Sequence, residues 1–191
     1  MPKLGMEPIR RAALVRATID VIGAQGSLDV TVARIAQEAG MSAALAHHYF
    51  GGKDQIFLAA MRQILRDFGT EVRSALHGAR TPRARAEALI AASFAPSCFD
   101  PATVSAWMTL YAQATTQPEM HRLLRLYQRR LLSNLTHALR PLSPTPVEDA
   151  QTLSALIDGL YLRAALAGDQ DPETARRIAR RTLDRLTGGS A

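Results

Sequence analysis

The chain has 191 residues, of which 47% are hydrophobic and only 5% aromatic, and this composition favours a helical protein with a sizeable core. Its net charge of +6 suits an anionic partner, although residues 1–60 carry six basic and five acidic side chains, a net of only +1. The single cysteine, Cys98, excludes an intrachain disulfide framework, so we expect a cytoplasmic protein. We expect no signal peptide. We also expect no membrane span, because Thr, Ser and Gln interrupt the uncharged stretch Pro101–Pro118.

The first predicted element is a helix over Pro8–Gln25, which Gly26 stops. Its apolar residues recur at helical spacing, which predicts one buried face. That face consists of Leu14, Ala17, Thr18, Val21 and Ile22.

Residues 31–53, TVARIAQEAGMSAALAHHYFGGK, predict two short helices joined by a tight turn. Thr31 and Ser42 are expected to cap them, because each hydroxyl can accept from an unpaired backbone N–H group. Gly40 ends the first helix, since the chain needs a positive φ there. The inward residues are Ile35, Ala36 and Ala39 in the first helix and Leu45 and Phe50 in the second.

This layout is typical of a helix-turn-helix, in which the second helix enters the major groove of DNA. The alternative is an ordinary helical hairpin of a bundle. We favour the helix-turn-helix of residues 31–53, called the DNA reader below, because its second helix is too short to pack a bundle. The outer positions of that helix also carry few long charged side chains. The glycines at 51 and 52 and Lys53 then start another helix.

The remaining chain predicts further helices, no strands and no internal repeat, which gives an all-α protein of about nine helices. These helices are Lys53–His77, Pro82 to about Ala95, Thr103–Thr115, Glu119–Arg140, Val147–Ala167 and Pro172–Leu186. Pro96 and Pro101 bracket an irregular corner, and Pro141–Pro146 is the clearest loop. We place a DNA-binding domain at residues 1–52 and a ligand-binding and dimerisation domain at residues 53–191.

Several segments resemble a known family. The pattern T-x-x-x-I-A-x-x-A-G-x-S, followed by H-Y-F-x-x-K, is similar to the motif of TetR-family one-component repressors. The segments MPKLGMEPIRR, HHYFGGKD, RRLLSNL and ALIDGLYLRAAL resemble, within that family, the repressors of the choline-to-glycine-betaine pathway. The resemblance implies a TetR-like fold and a repressor of choline-uptake and glycine-betaine genes that choline relieves, with no cofactor.

The family resemblance also implies which residues touch operator DNA. Thr31 and Ser42 would lie near phosphates, which also fits the positive helix ends. Tyr49 and Lys53 would contact phosphates too. The groove-facing residues would be Ala43, Ala44, His47 and His48. No Arg, Asn or Gln lies in residues 42–50, so we predict modest direct readout and many backbone contacts. For His48, phosphate contact and local packing remain open.

The N-terminal arm, residues 1–6 with Lys3, would either reach the DNA backbone or minor groove or remain a disordered tail. A single short helix buries too little surface for tight specific binding, so we expect a homodimer that presents two reading helices about one turn of DNA apart. The family resemblance favours an interface through the last two helices. Their candidate stripe is Leu153, Leu156, Ile157, Leu160 and Ala164, and the small residues Ala155, Gly159, Ala165 and Ala167 would allow close approach of helices. Packing within one protomer would produce the same periodicity. In the last helix we expect the arginines from 176 to 181 to be solvated and Ile178 to face inward.

A choline-like effector is a quaternary ammonium, which aromatic faces and a nearby carboxylate bind best. The candidate ligand-binding residues are Trp107, Tyr111, Phe94, Phe99, Tyr127, Asp158 and Tyr161. Two alternatives stay open, since aromatic residues at helical spacing commonly form core and Asp158 could pair with Arg163 or Arg129.

Three other classes compete with this interpretation. A multidrug-type TetR sensor would recognise other hydrophobic cations. A helical enzyme is disfavoured, because the chain has no Glu-x-x-His pair for a di-metal site and no Gly-rich phosphate loop, and we predict no metal site. A protein-interaction module would tolerate changes of Tyr49 and Lys53, whereas a repressor would lose operator affinity.

Overall fold

The computed structural model describes residues 5–25, 30–167 and 171–188, and all of its regular structure there is helical. The helices are α1 (Met6–Gln25), α2 (Val32–Glu38), α3 (Ala43–Phe50), α4 (Lys53–Gly78), α5 (Pro82–Ser93), α6 (Pro101–Ala114), α7 (Pro118–Leu139), α8 (Pro146–Ala167) and α9 (Pro172–Leu186), with a short 3₁₀ helix at Pro96–Phe99. The predicted all-α class is confirmed. The predictions for Lys3 and Gly26 concern residues outside the described ranges.

More helices begin at a proline than we predicted from the sequence. Pro101, Pro118 and Pro146 each start a helix, whereas we had begun those helices one or two residues later. A proline fits the first helical position because the N–H group that it lacks has no partner inside the helix there. The corner that we predicted between α5 and α6 contains the 3₁₀ helix.

The chain divides into two compact units. The first comprises Met1–Arg66 and Asp100–Leu124, and the second comprises Asp67–Phe99 and Arg125–Ala191. The division passes through α4 and α7, so both helices contribute residues to each unit. The functional boundary that we placed after residue 52 stays a prediction.

In the first unit, α1 packs against α2 and α6, and α2 packs against α3. The predicted inner face of α1 is confirmed, because Leu14, Ala17, Thr18, Val21 and Ile22 are all buried. The contact between α1 and α6 is very close at Gly23. A Cβ built on Gly23 would lie 2.5 Å from the Cβ of Ala102 and 2.8 Å from its Cα. A glycine is therefore required at this crossing.

In the second unit, α9 packs against α5 and α8. Ala175, Ala179 and Leu183 form its buried face, whereas Ile178 is 40% exposed. The prediction that Ile178 faces inward is therefore wrong. The buried stripe of α9 runs through Ala175, Ala179 and Leu183, which are four residues apart, and Ile178 lies beside it. Cys98 is buried, and loss of water around the thiol raises its pKa to about 11. This thiol is therefore protonated at neutral pH.

Candidate nucleic-acid interface

Both helices of the predicted DNA reader begin at side-chain caps. The hydroxyl of Thr31 accepts from the backbone N–H of Arg34 at 3.2 Å, and the hydroxyl of Ser42 accepts from that of Leu45 at 3.2 Å. Both cap residues are exposed. The predicted caps are confirmed, and each hydroxyl proton remains able to donate outward from a positive helix end.

The turn between α2 and α3 is fixed by its backbone. Gly40 has a φ of 65°, as the sequence predicted. Its N–H donates to the Gln37 carbonyl at 3.0 Å, and the N–H of Met41 donates to the Ala36 carbonyl at 2.8 Å. These two bonds form a Schellman motif, which ends α2 and sets the direction of the chain into α3.

Helix α3 is anchored by a residue that we did not single out. Ala46 is fully buried, whereas Leu45 and Phe50, which we expected to anchor the helix, are only half-buried. On α2, Ile35 and Ala36 are buried as predicted, whereas Ala39, which follows the last residue of α2, is half-buried. Alanine is only weakly hydrophobic, so the sequence favoured the larger side chains of Leu45 and Phe50 as anchors over Ala46.

The outer face of α3 consists of the residues expected to face the groove. Ala44, His47 and His48 are exposed, and Ala43 is half-buried. The Nδ1 atom of His47 lies 3.3 Å from the carbonyl oxygen of Gly51, a residue with a φ of 78°. A carbonyl can only accept, so this contact is a hydrogen bond when Nδ1 carries the proton, and a neutral ring in that tautomer offers Nε2 as an acceptor.

Two arginines of α1 hold the aromatic pair at the end of α3. Arg10 Nη1 donates to the Tyr49 hydroxyl at 3.4 Å. The Arg11 guanidinium lies 5.6 Å from the centre of the Tyr49 ring and 5.2 Å from that of Phe50, which is cation–π geometry. In the sequence, Arg10 and Arg11 form a basic cluster with Lys3, but their contact with α3 could not be predicted because it depends on how two helices pack. Lys53 is half-buried at the start of α4.

Of the candidate effector residues, Trp107 and Tyr111 belong to the first unit. Their ring centres are 5.9 Å apart on α6. Trp107 is only 7% exposed, whereas Tyr111 is half-buried. The two rings therefore form a pair, of which the tyrosine is the more accessible member.

In the second unit, three of the candidate aromatic residues are packed into the core. Phe94, Phe99 and Tyr161 are all buried. The rings of Phe99 and Tyr161 lie 5.3 Å apart, and the Tyr161 hydroxyl donates to the Cys98 carbonyl at 2.9 Å. These contacts fit a structural role well.

Tyr127 and Asp158 form a more accessible polar pair in the same unit. The Tyr127 hydroxyl donates to Asp158 Oδ1 at 3.1 Å, and the ring of Phe68 lies 6.0 Å from that of Tyr127. Burial raises the pKa of the Asp158 carboxyl, and the bond from Tyr127 partly offsets this. Asp158 also lines an open cleft of about 350 Å³ between α7 and α8. Among the described residues, no ion pair joins Asp158 to Arg129 or Arg163.

The stripe proposed as a dimer interface is partly core. Leu153 and Ile157 are buried within one protomer, and Leu156, Leu160 and Ala164 are half-buried. A different stripe of α8 is exposed, and it consists of Ala155, Gly159, Leu162 and Leu166. Leu166 is 69% exposed, a large value for a leucine.

Comparison with known proteins identifies the family of this chain. Residues 14–60 match the model described as bacterial regulatory proteins of the tetR family, and residues 82–188 match that of the C-terminal part of BetI-type transcriptional repressors. This chain belongs to the TetR family of transcriptional regulators. Its C-terminal part is of the BetI type. The resemblance seen in the sequence is thereby confirmed.

Relatives and solved structures agree with this assignment. The chain is 51% identical over 181 residues to the HTH-type transcriptional regulator BetI of Brucella anthropi, covering 94% of this chain and 93% of that one. A chain from Pseudomonas aeruginosa PAO1 described as a transcriptional regulator is 26% identical, with a TM-score of 0.82 over 98% of this chain and 94% of that one. A regulator from Saccharomonospora viridis described in complex with choline is 23% identical, with a TM-score of 0.81 over 91% and 95% of the chains.

The family defines the class of activity. Members are transcriptional regulators that bind operator DNA and dimerise, so this protein is a DNA-binding regulator and not an enzyme. Within the described ranges, no group of His, Cys, Asp and Glu residues is arranged to hold a metal ion. In the same residues, none of the helices is both long and apolar enough to cross a membrane.

Proposed function

We propose that this regulator represses genes for choline uptake and glycine betaine synthesis and that choline binding releases it from its operator. The observation that supports this most strongly is the identity of about one half to BetI regulators over 94% of the chain. A protein of the same fold described in complex with choline adds support for the ligand class.

Four residues are proposed to contact operator phosphates. The exposed caps Thr31 and Ser42 would use their hydroxyl protons and the N–H groups at the helix ends. Tyr49 would donate its phenol proton, and Lys53 would supply a positive charge at the start of α4. Such contacts fix the register of the protein on the duplex but carry little sequence information.

Sequence would be read by the outer face of α3. Ala43 and Ala44 are suited to thymine methyl groups, and His47 and His48 to base edges or neighbouring phosphates. None of these side chains makes the bidentate contacts of Arg, Asn or Gln, so direct readout is modest. Sequence-dependent DNA shape would then contribute to specificity.

Two copies of α3 would act together in a homodimer. We propose that the interface uses the exposed stripe Ala155, Gly159, Leu162 and Leu166 of α8, together with Ile178 of α9. Its small residues allow close approach of helices, and its leucines supply apolar area. A Leu166→Glu substitution should therefore yield monomers and weak operator binding, as measured by sedimentation and fluorescence anisotropy.

The quaternary ammonium of choline has no hydrogen to donate, so aromatic faces and a carboxylate must hold it. In the second unit we propose the pair Tyr127–Asp158 as its principal site, with Phe68 beside it. The packed residues Phe94, Phe99 and Tyr161 would support that site, and in the first unit Trp107 and Tyr111 offer a second aromatic pair. Asp158 supplies the negative charge that choline requires.

Release would be a population shift. Choline would favour a state of the dimer in which the two α3 helices no longer match the spacing of the operator. Binding to the upstream region of its own gene should weaken as choline is titrated at fixed salt. If only a bulky cation such as tetraphenylphosphonium releases the DNA, the protein is a multidrug-type sensor instead.

The DNA contacts have a separate test. Lys53→Ala should weaken operator binding and flatten its dependence on salt, because the number of neutralised phosphates falls. Tyr49→Phe should weaken binding with a smaller change in salt dependence, since the phenol is neutral. Failure of wild-type protein to bind any part of the upstream region would contradict the proposed function.

A further inference from the structure

We infer that Arg10 and Tyr49 form one binding site for a DNA phosphate, a site to which α1 contributes the charge and α3 the hydroxyl. This inference rests on the proposed binding of operator DNA by α3. It adds Arg10 to the DNA-binding surface and assigns the neighbouring Arg11 a different task.

The two arginines differ in how their charge is compensated. Arg11 donates to the Glu7 carboxylate at 2.9 Å and stacks over the rings of Tyr49 and Phe50. Arg10 has no such partner, since no carboxylate among the described residues forms an ion pair with its guanidinium. Of the two, Arg10 therefore carries the charge that is available to an anion.

The hydrogen bond between Arg10 and Tyr49 also sets the direction of the phenol. Arg10 Nη1 donates to the phenolic oxygen at 3.4 Å, so the hydroxyl proton points away from Arg10 and can be donated to another acceptor. A guanidinium has five N–H donors, and the remaining four can reach a second oxygen of the same acceptor group. One positive charge and two convergent donors suit the two free oxygens of a phosphodiester.

Arg11 acts on this site indirectly. Its guanidinium covers both rings, and the Glu7 carboxylate holds it there. Loss of Arg11 would free the Tyr49 ring to change rotamer without removing a phosphate contact. Arg11 is therefore a positioning residue, whereas Arg10 touches the DNA.

The first experiment compares operator affinity and its salt dependence for Arg10→Gln, Arg10→Lys and the control Arg16→Gln. Arg16 is exposed on the same helix, so its substitution removes the same charge elsewhere. Arg10→Gln should lose about tenfold in affinity and lower the magnitude of the salt slope by roughly two for a dimer, one phosphate per protomer. Arg10→Lys should keep the slope and lose less affinity, because it keeps the charge but not the planar fork.

The second experiment tests whether the two residues bind the same phosphate. Single neutral methylphosphonates are placed in turn along the operator backbone. One position should weaken wild-type binding and have a smaller effect on both Arg10→Gln and Tyr49→Phe, and the loss in the double variant should be smaller than the sum of the two single losses. Thermal melting of each variant confirms that it is folded.

Equal behaviour of Arg10→Gln and Arg16→Gln would overturn the inference, and so would additive losses in the double variant. In either case wild-type protein still binds the operator and the proposed function stands. If wild-type protein binds no upstream DNA, the proposed function and this inference fail together.

Discussion

The DNA reader and the second unit place their polar groups in opposite ways. In α2 and α3, the hydroxyls of Thr31 and Ser42 are exposed, and each bonds a backbone N–H three residues away. In the second unit, Tyr127 and Tyr161 bond groups that are 31 and 63 residues distant in the chain. The caps of the reader are thus local contacts, whereas the candidate effector site depends on contacts between helices.

This difference determines which parts of the function tolerate change. A local cap survives small movements of the neighbouring helices. A site assembled from separate helices changes when those helices shift. Such a site is suited to sense a ligand and convert its binding into a movement.

Helix packing in the first unit gives the largest expected effect. Gly23→Ala should lower the free energy of unfolding by about 3 kcal/mol, because the new methyl group would overlap Ala102 and force α1 and α6 apart. Chemical denaturation measures this loss. Gly69→Ala is the matched control in α4, where the methyl group would meet only Arg73 Nη1 at 3.5 Å, and it should raise stability by about 0.5–1 kcal/mol. Equal stability of the two variants would contradict the close crossing.

The caps separate stability from function. Ser42→Ala should cost about 1 kcal/mol of stability and reduce operator affinity by about tenfold, since both the cap and a phosphate contact are lost. Thr81 caps α5 with the same bond, from Ala84 N at 3.1 Å. Thr81→Ala should cost a similar stability and leave operator affinity unchanged. An equal loss of affinity in both variants would show that destabilisation alone explains it.

The same contrast explains what the sequence could predict. The caps at Thr31 and Ser42, the positive φ of Gly40 and the inner face of α1 follow from short-range rules, and all were predicted correctly. The family motif for DNA binding is also local. Such features need no knowledge of which helices meet.

The errors concern the packing between helices. The burial of Ala46, the exposure of Ile178 and the contact of Arg10 with Tyr49 depend on the partner of each helix face. Periodicity finds a stripe but not its neighbour, so it could not distinguish core from interface at Leu153 and Ile157. For the same reason the sequence could not show that Tyr161 bonds a backbone carbonyl while Tyr127 bonds Asp158.

The carboxylate of the proposed effector site has a pH signature. Burial raises the folded-state pKa of Asp158 above its ordinary value of 3.8, so the folded state binds more protons than the unfolded state in the interval between the two pKa values. The contribution of Asp158 to stability should therefore decrease as pH rises through that interval. Denaturation of wild type and Asp158→Asn at a series of pH values should show this dependence in the wild type alone.

The same variant tests the ligand site. Asp158→Asn removes the negative charge but keeps an oxygen that can accept from Tyr127. It should require roughly fivefold more choline to release DNA, since a partly exposed ion pair contributes about 1 kcal/mol. Glu148→Gln is a control, because that carboxylate is exposed near the start of α8. Unchanged choline sensitivity in Asp158→Asn would place the effector elsewhere.

The smallest expected effect on operator binding is that of His47, whose local structure determines which ring nitrogen carries the proton. The bond to the Gly51 carbonyl places the proton on Nδ1, so the neutral ring can accept from an adenine or cytosine amino group but cannot donate to guanine. Nitrogen-15 NMR of the free protein should show this tautomer. His47→Ala should weaken operator binding by about threefold and relax preference at one base pair, since a single hydrogen bond to an exposed base contributes about 0.5–1.5 kcal/mol. A proton on Nε2 would reverse the expected base preference, because the ring would then donate where we expect it to accept.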